Sequence, residues 1–323
     1  MIPVTLSPSD AQVHSLMTKL IASTVPGPQQ AHAQQTADRC LGIFESSAWP
    51  AVAWRFSDLN TDGCPLEICF SSVDRTLRYT FEVGGPEFPA ADRLSMACAL
   101  ASELGCAVPS QSLAFWASLQ FSHELHWGAS LGVRHNADGE RLKLYLEVPQ
   151  AISTSASFPW QKRYQEALLF HHESRLLMLG HDLHSGTEEL YFSLPLLDRH
   201  QAMAVQRALE SNMQTAPLLP ALTSLLPMPL EAALQWNNLG YSVALTENPP
   251  LRISLFIRSP AIGQSRLYSC LCSDKHADSL YAEFMPALST EPLPNHGIVS
   301  LTAHANLIET RVGISALALA HRY

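Results

Sequence analysis

Arg78, Lys143, Arg252 and Arg258 each fall in a short run where apolar and polar residues alternate, and each lies in the polar phase. Tyr145, Tyr191 and His304 share that phase in runs of the same kind. Guanidinium and ammonium groups gathered with tyrosine hydroxyls around one cavity can hold a phosphate or diphosphate by charge-assisted hydrogen bonds. Glu67 adds a carboxylate, in phase with Cys69 and out of phase with Ile68 and Phe70. An inward carboxylate among aromatics can act as general base toward a nucleophile. No GxxxxGKS/T or GxGxxG segment is present, so phosphate binding at a helix terminus is not indicated. Each of these charges taken singly is also what a solvated strand face would carry.

The elements that must position these residues recur five times as helix, then two strand-like runs joined by a turn. Helical periodicity near residues 8–24 and 29–47 leads to a strand over Ala51–Leu59 and a hairpin of Pro65–Ser71 and Thr76–Val83. The next hairpins are Trp127–His135 with Glu140–Pro149, Arg175–Leu183 with Thr187–Leu194, Asn238–Thr246 with Leu251–Arg258, and Gly297–Asn306 with Glu309–Leu319. Helix-period stretches lie between them: Pro89–Leu104 with Ser110–Leu119, Gln161–His172, Asp198–Met213 with Ala216–Leu226, and Gln264–Met285. In Thr76–Val83 the apolar set is Leu77, Tyr79, Phe81 and Val83, opposed by Thr76, Arg78, Thr80 and Glu82. Helices flank every hairpin and must cover the apolar faces. The expected class is therefore α+β, a ten-stranded antiparallel β-barrel surrounded by α-helices, as one domain over residues 1–323. Closure would remove exposed strand edges, and ten strands enclose more space than side chains fill. An open sheet with one wet face satisfies the same alternation.

Composition narrows the classes. The 323 residues are 47% hydrophobic and 15% charged, which excludes disordered, collagen-like and coiled-coil chains. A net charge of -9 with no run of Lys or Arg argues against a nucleic-acid partner. No apolar stretch approaches the roughly 20 residues of a membrane span, so no membrane partner is expected. Met1-Ile2-Pro3-Val4-Thr5 lacks the pattern of a secretion signal. The seven cysteines are odd in number and form no CxxC pair, which reads as reduced core thiols and a cytoplasmic location. His171-His172 and His181 with His184 come nearest to a metal site, and no zinc spacing is present.

Pro65-Leu66-Glu67, followed by Arg78 in Arg78-Tyr79-Thr80-Phe81-Glu82, resembles the first-hairpin signature of aromatic prenyltransferases of the ABBA barrel class. The resemblance implies that Glu67 is the base or hydrogen-bond acceptor for the nucleophile and that Arg78 binds diphosphate. Gly128-Ala129-Ser130-Leu131-Gly132-Val133-Arg134, the Asp138-Gly139 turn and Leu142-Lys143-Leu144-Tyr145 resemble the second-hairpin signature, which implies diphosphate contacts from Lys143 and Tyr145. Glu188-Glu189-Leu190-Tyr191 is similar to the third at Tyr191. Five αββα units, a length just over 300 and the ending Thr310-Arg311-Val312 resemble the cyanobactin-type peptide prenyltransferases more than the longer fungal indole enzymes.

What the resemblance implies is transfer of a dimethylallyl or geranyl group from its diphosphate to a Tyr, Trp, His or Arg side chain of a ribosomally made, macrocyclic peptide, with Mg²⁺ as cofactor. Three departures stand out. Thr187-x-Glu189-x-Tyr191 replaces a fungal Arg-x-Lys-x-Tyr, Arg252-Ile253-Ser254 replaces Gln-x-Tyr, and Gly313 and Ser315 replace paired tyrosines. A thinner tyrosine shield suggests a substrate that covers the site itself, or magnesium in place of the missing cations. The expected site is thus Glu67 as catalytic residue, Arg78, Lys143, Tyr145 and Arg252 at the diphosphate, and Tyr191, His304 and Arg258 lining the prenyl or substrate pocket. A prenyltransferase for a free small aromatic molecule is one alternative. A non-catalytic barrel that binds an anionic ligand is another, and it needs no base at Glu67.

Overall fold

Apolar residues at every second position give each strand a side that must leave water, and the helices supply the cover. The structure, a computed structural model, describes residues 10–49, 52–136, 138–153, 174–236, 239–245, 252–258, 262, 266–267, 296–304 and 307–320. The strands are β1 Leu66–Ser71, β2 Leu77–Glu82, β3 Ala129–Asn136, β4 Gly139–Glu147, β5 Arg175–Asp182, β6 Glu188–Ser193, β7 Leu239–Leu245, β8 Arg252–Arg258, β9 His296–His304 and β10 Leu307–Ser315. Each pairs antiparallel with its neighbours in sequence, and β1 pairs with β10, so the sheet closes as a ten-stranded barrel. The open-sheet alternative is thereby overturned, and none of these ten strands keeps a free edge for another chain to pair with.

Outside lie α1 Asp10–Thr24, α2 Gly27–Glu45, α3 Arg93–Glu103, α4 Ser110–Gln120, α5 Gln150–Ser153, α6 Arg199–Ser211, α7 Leu219–Leu225, α8 Leu230–Trp236 and α9 Ala316–Ala320. Proline in the first turn starts α2, and Asp198 with Gln201 forms a capping box that starts α6. The outward strand residues Leu66, Ile68, Phe70, Leu77, Tyr79 and Phe81 are buried, as are Ala37, Cys40, Leu41 and Phe44 of α2. Each fully buried Leu, Ile or Phe contributes roughly 1.5–3 kcal/mol against exposure. This outer layer holds the barrel together, and the inner face is left free for polar groups.

Two expected strands are corrected. Residues 52–59 of Ala51–Leu59 form turns and bends rather than a strand. Trp54 is buried, its ring 5.1 Å from that of Phe44, and the loop folds back so that the Cβ position of Gly63 lies 2.9 Å from the Arg55 backbone. Gly63 has φ +82, a conformation that favours glycine. The side chain of Asn60 donates to the carbonyls of Cys64 and Leu66 at 2.9 and 3.2 Å, which ties the loop to the start of β1. At the other terminus β10 stops at Ser315, and the Ala-Leu run 316–320 forms α9 instead of extending the strand to Leu319. Ala and Leu are strong helix formers, and the Ser315 hydroxyl accepts from the Ala318 N–H at 3.4 Å.

Gln161–His172, the pair His171-His172, Cys270, Cys272 and all but residues 266–267 of Gln264–Met285 lie outside the described residues. Cys40, Cys64, Cys98 and Cys106 are free and buried, whereas Cys69 faces the barrel interior. His181 stacks edge-on against Trp116 at 4.7 Å, and His184 Nδ1 accepts from the Leu142 N–H at 3.4 Å. Among the described residues no three His, Cys, Asp or Glu converge to hold a metal, and no helix is long and apolar enough to cross a membrane.

Candidate active site in the barrel lumen

The outward phase packs on helices, so the opposite phase lines the lumen. Lys143 and Tyr145 lie there on β4. The hairpin that carries them turns at Gly139, with φ +120, where the Asn136 side chain accepts from the Asp138 N–H at 3.0 Å. Lys143 Nζ donates to Glu189 Oε2 at 2.5 Å and to the Tyr191 hydroxyl at 2.8 Å. It also lies 5.3 Å from the Tyr145 ring centroid and 5.2 Å from that of Tyr191. These two rings meet edge-on at 6.0 Å, and Tyr191 stacks on Phe256 at 5.7 Å. The space exists because the facing positions are glycines. A Cβ at Gly132 would stand 2.9 Å from Tyr145, and one at Gly180 would stand 2.6 Å from Lys143. A cation between two tyrosine faces is the arrangement that also stabilises a carbocation.

Glu189, noted in the sequence only as a departure, is the anchor of this cluster. Burial alone would raise its pKa, but the Lys143 charge and hydrogen bond, the Ser242 hydroxyl and Arg252 outweigh it and hold the carboxyl at about 2. Lys143 is the mirror case: burial would lower it, and Glu189 keeps it above its ordinary range.

A second cluster spans β1, β2 and β10. Arg78 donates to both carboxylate oxygens of Asp74, at 3.0 and 2.7 Å, and lies 3.9 Å from Glu309. Arg311 makes a two-pronged contact with Glu309, at 2.7 and 2.8 Å. Glu309 also accepts from Ser71 Oγ at 2.7 Å and meets His304 Nε2 at 2.9 Å. Burial would raise Glu309, yet the Arg311, Ser71 and His304 contacts pull it down to about 2. Glu309, Arg311 and Arg134 were given no role from the sequence, although Arg134 and Arg311 stand in the segments that carry the resemblance. The available signal was their place in the polar phase of β10 and β3.

Glu67 is different. It stands opposite Thr80 on β2 and Ser315 on β10, while Arg78 stands opposite Cys69. No hydrogen bond to Glu67 is found among the described residues, and Arg78 pairs with Asp74 instead. Burial alone pushes its carboxyl up to about 7. Its side chain fills the room left by two glycines: a Cβ at Gly313 or at Gly297 would overlap the carboxyl group. Gly313 lies at a register irregularity between β10 and β9.

The remaining expected residues are spread out. Arg252 and Arg258 open and close β8 and are both exposed, so they sit at opposite ends of the strand, roughly 20 Å apart at about 3.3 Å per residue. Arg252 acts on Lys143 and Glu189 through its charge. The lumen thus brings Lys143, Tyr145 and Tyr191 together and places Arg78 with His304 around Glu309. It leaves Glu67 apart from both groups and Arg258 at the far rim.

No protein-family model matches the chain, and no curated protein does. Solved structures match over nearly its full length. The 6-dimethylallyltryptophan synthase from Micromonospora olivasterospora, in complex with DMASPP and Trp, is 16% identical, with 98% of this chain and 99% of that one covered and a TM-score of 0.66. The 5-dimethylallyl tryptophan synthase from Streptomyces coelicolor, also with DMASPP and Trp, is 14% identical over 97% and 95%, with a TM-score of 0.70. AnaPT from Neosartorya fischeri is 14% identical over 97% and 94%, with a TM-score of 0.65. At such identities the likeness establishes the fold, which is the barrel of the ABBA-type aromatic prenyltransferases.

Proposed function

We propose that the protein transfers a dimethylallyl or geranyl group from its diphosphate to a nucleophilic aromatic acceptor inside the barrel. The observation that carries this reading is a lumen with two chemically opposed parts: cations set among tyrosine faces, and one carboxyl without a partner whose pKa lies at about 7. Arg78, Lys143, Tyr145 and Arg252 hold the diphosphate. As the bond from the allylic carbon to oxygen breaks, the electron pair leaves with the diphosphate, and these cations stabilise the growing charge. The allylic cation is held against Tyr145 and Tyr191, with His304 and Arg258 lining the route of the substrate. The nucleophile forms the new bond to the allylic carbon, and Glu67 takes the proton it releases. A general base is most effective with a pKa near the working pH, and burial gives Glu67 that value.

The acceptor we favour is an aromatic or other nucleophilic side chain of a ribosomally made peptide, which the sequence resemblance supports. Free tryptophan is the second reading, favoured by the acceptor named in the solved complexes. Magnesium finds no cage built by the protein among the described residues. Glu189 is taken up by Lys143, Tyr191 and Ser242, and Glu309 by Arg311, Ser71 and His304. Where a magnesium ion accompanies the diphosphate, its charge would add to that of Arg78, Lys143 and Arg252.

The test is incubation with dimethylallyl and geranyl diphosphate against free tryptophan and against peptides carrying Tyr, Trp, His or Arg, read by mass spectrometry. A prenyl mass increment on an acceptor is expected. Tight diphosphate binding with no adduct on any acceptor would instead support the binding barrel.

A further inference from the structure

Cys69 lies between Glu67 and Ser71 on the inner face of β1, opposite Arg78 on β2 and Gly313 on β10. Gly313 places no side chain over it. Cys40, Cys64, Cys98 and Cys106 are buried, whereas Cys69 is partly exposed, toward the lumen. It is close enough to Tyr145 and Arg311 for its charge to act on both. Hydroxyls around it are taken up: Ser71 donates to Glu309 at 2.7 Å, Tyr191 to Glu189 at 2.9 Å and Ser315 to Asp62 at 2.5 Å. The Cys69 thiol makes one weak contact, donating to the Phe70 carbonyl at 4.0 Å, which leaves the sulfur lone pairs unused.

Burial raises the thiol to about 11, with Arg78 and Arg311 opposing the rise and Glu67 and Glu309 adding to it, so at neutral pH the group is S–H. A neutral thiol is inert toward ordinary alkylating agents. An allylic cation is a far stronger electrophile and takes an electron pair from an uncharged nucleophile, and sulfur is intrinsically very nucleophilic. The thiol proton must then leave. Glu67, which no hydrogen bond engages among the described residues, stands two residues away on the same face, roughly 7 Å along the strand. A soft nucleophile and a proton acceptor are thus set side by side in the space where the cation forms.

We propose that Cys69 is a modification site: when no acceptor is bound, it captures the allylic cation formed in the lumen and becomes an S-prenyl cysteine. The bond from the allylic carbon to the donor oxygen breaks, and its electron pair leaves with the diphosphate. A sulfur lone pair forms the carbon–sulfur bond, and the thiol proton passes to Glu67. The inference rests on the prenyl-transfer reading above and extends it to the protein as its own acceptor. A thioether does not revert, and a prenyl group on Cys69 would occupy the space beside Glu67 that an acceptor needs. Each capture therefore closes one active site, and an acceptor seated at Glu67 prevents it by reacting first.

The test is prolonged incubation of the full chain with dimethylallyl diphosphate and no acceptor, followed by mass spectrometry of the intact protein and of its tryptic peptides. One prenyl mass increment is expected, on the peptide that carries Cys69. Cys69→Ser should cut the increment about tenfold or more, because a hydroxyl is the weaker nucleophile, and Glu67→Gln should slow it by about 10²-fold. An acceptor present from the start should suppress it. Unaltered protein held with donor alone should lose most of its later transfer activity, and Cys69→Ser treated alike should keep it. Circular dichroism confirms that each variant is folded. Transfer to an acceptor by a protein whose Cys69 stays unmodified with donor alone overturns the inference and leaves the proposed function standing. An increment that maps to another residue, or is undiminished in Cys69→Ser, also overturns it. An S-prenyl Cys69 with no transfer to any acceptor keeps the inference and removes the proposed function. No increment on protein or acceptor removes both.

Discussion

Glu67 and Glu309 are carboxylates of two paired strands, β1 and β10, and both face the lumen. Burial pushes each toward its neutral form. Glu309 meets Arg311, Ser71 and His304 and is held at about 2, whereas Glu67 meets two glycines and rises to about 7. The difference lies in the partners, and it separates their work. A carboxylate saturated with donors is a strut that fixes arginines in place. A carboxyl without donors keeps its proton affinity available for chemistry.

The largest break in this comparison should come from Glu309→Ala. It leaves Arg311 without its carboxylate, and unfolding in denaturant should show a loss of about 3 kcal/mol. Glu67→Gln should leave the fold intact and lower turnover by about 10²-fold, the usual share of a general base. Its affinity for the prenyl diphosphate should stay level or rise. Gly313→Ala should come third. The added methyl displaces the Glu67 carboxyl, and turnover should fall about tenfold with the donor Kd unchanged, since it is the geometry of proton transfer that suffers. Full activity in Gly313→Ala would show that the glycine seat is irrelevant.

The two carboxylates also predict opposite responses to pH. Glu309 and Glu189 have depressed values, so their stabilisation is present above pH 4.5 and is lost as pH falls toward 2. Glu67 is raised: between 4.5 and about 7 the folded protein keeps a proton that the unfolded chain has released. Its contribution is therefore full below 4.5 and declines as pH rises to about 7. Denaturant midpoints measured across pH should show the upper slope vanish in Glu67→Gln. Turnover should fall on the acid side of about pH 7 as Glu67 becomes protonated.

The barrel was legible in the sequence because alternation carries the whole argument: Leu77, Tyr79 and Phe81 on one side and Arg78 and Thr80 on the other need only local reading. The strand expected over Ala51–Leu59 is absent because Trp54 packs on Phe44 of α2 and residues 52–59 form turns and bends around it. Glu67, Arg78 and Lys143 could be picked out by phase and type. The partners that decide their chemistry could not. Arg134 faces Arg78 only through the β2–β3 register, and Gly313 makes room for Glu67 only because the last strand closes on the first. Register and closure are set by the whole sheet, and Gly313 read as a missing tyrosine until the Glu67 side chain was placed beside it.

The seam between β1 and β10 also fixes when the site comes into being. Ser71 and Glu309 are bonded across 238 positions of chain, and Glu67 with its glycine seat lies on the same seam. Contacts of such sequence separation form late, after the cost of closing a very long loop has been met. Hairpins emerging from the ribosome can pair with their neighbours in turn, but the carboxyl pocket does not exist until the final strand docks. The chain therefore completes the pocket around Glu67 last, and a nascent or truncated copy lacking β10 would hold the cations of β2 and β4 with no closed lumen around them.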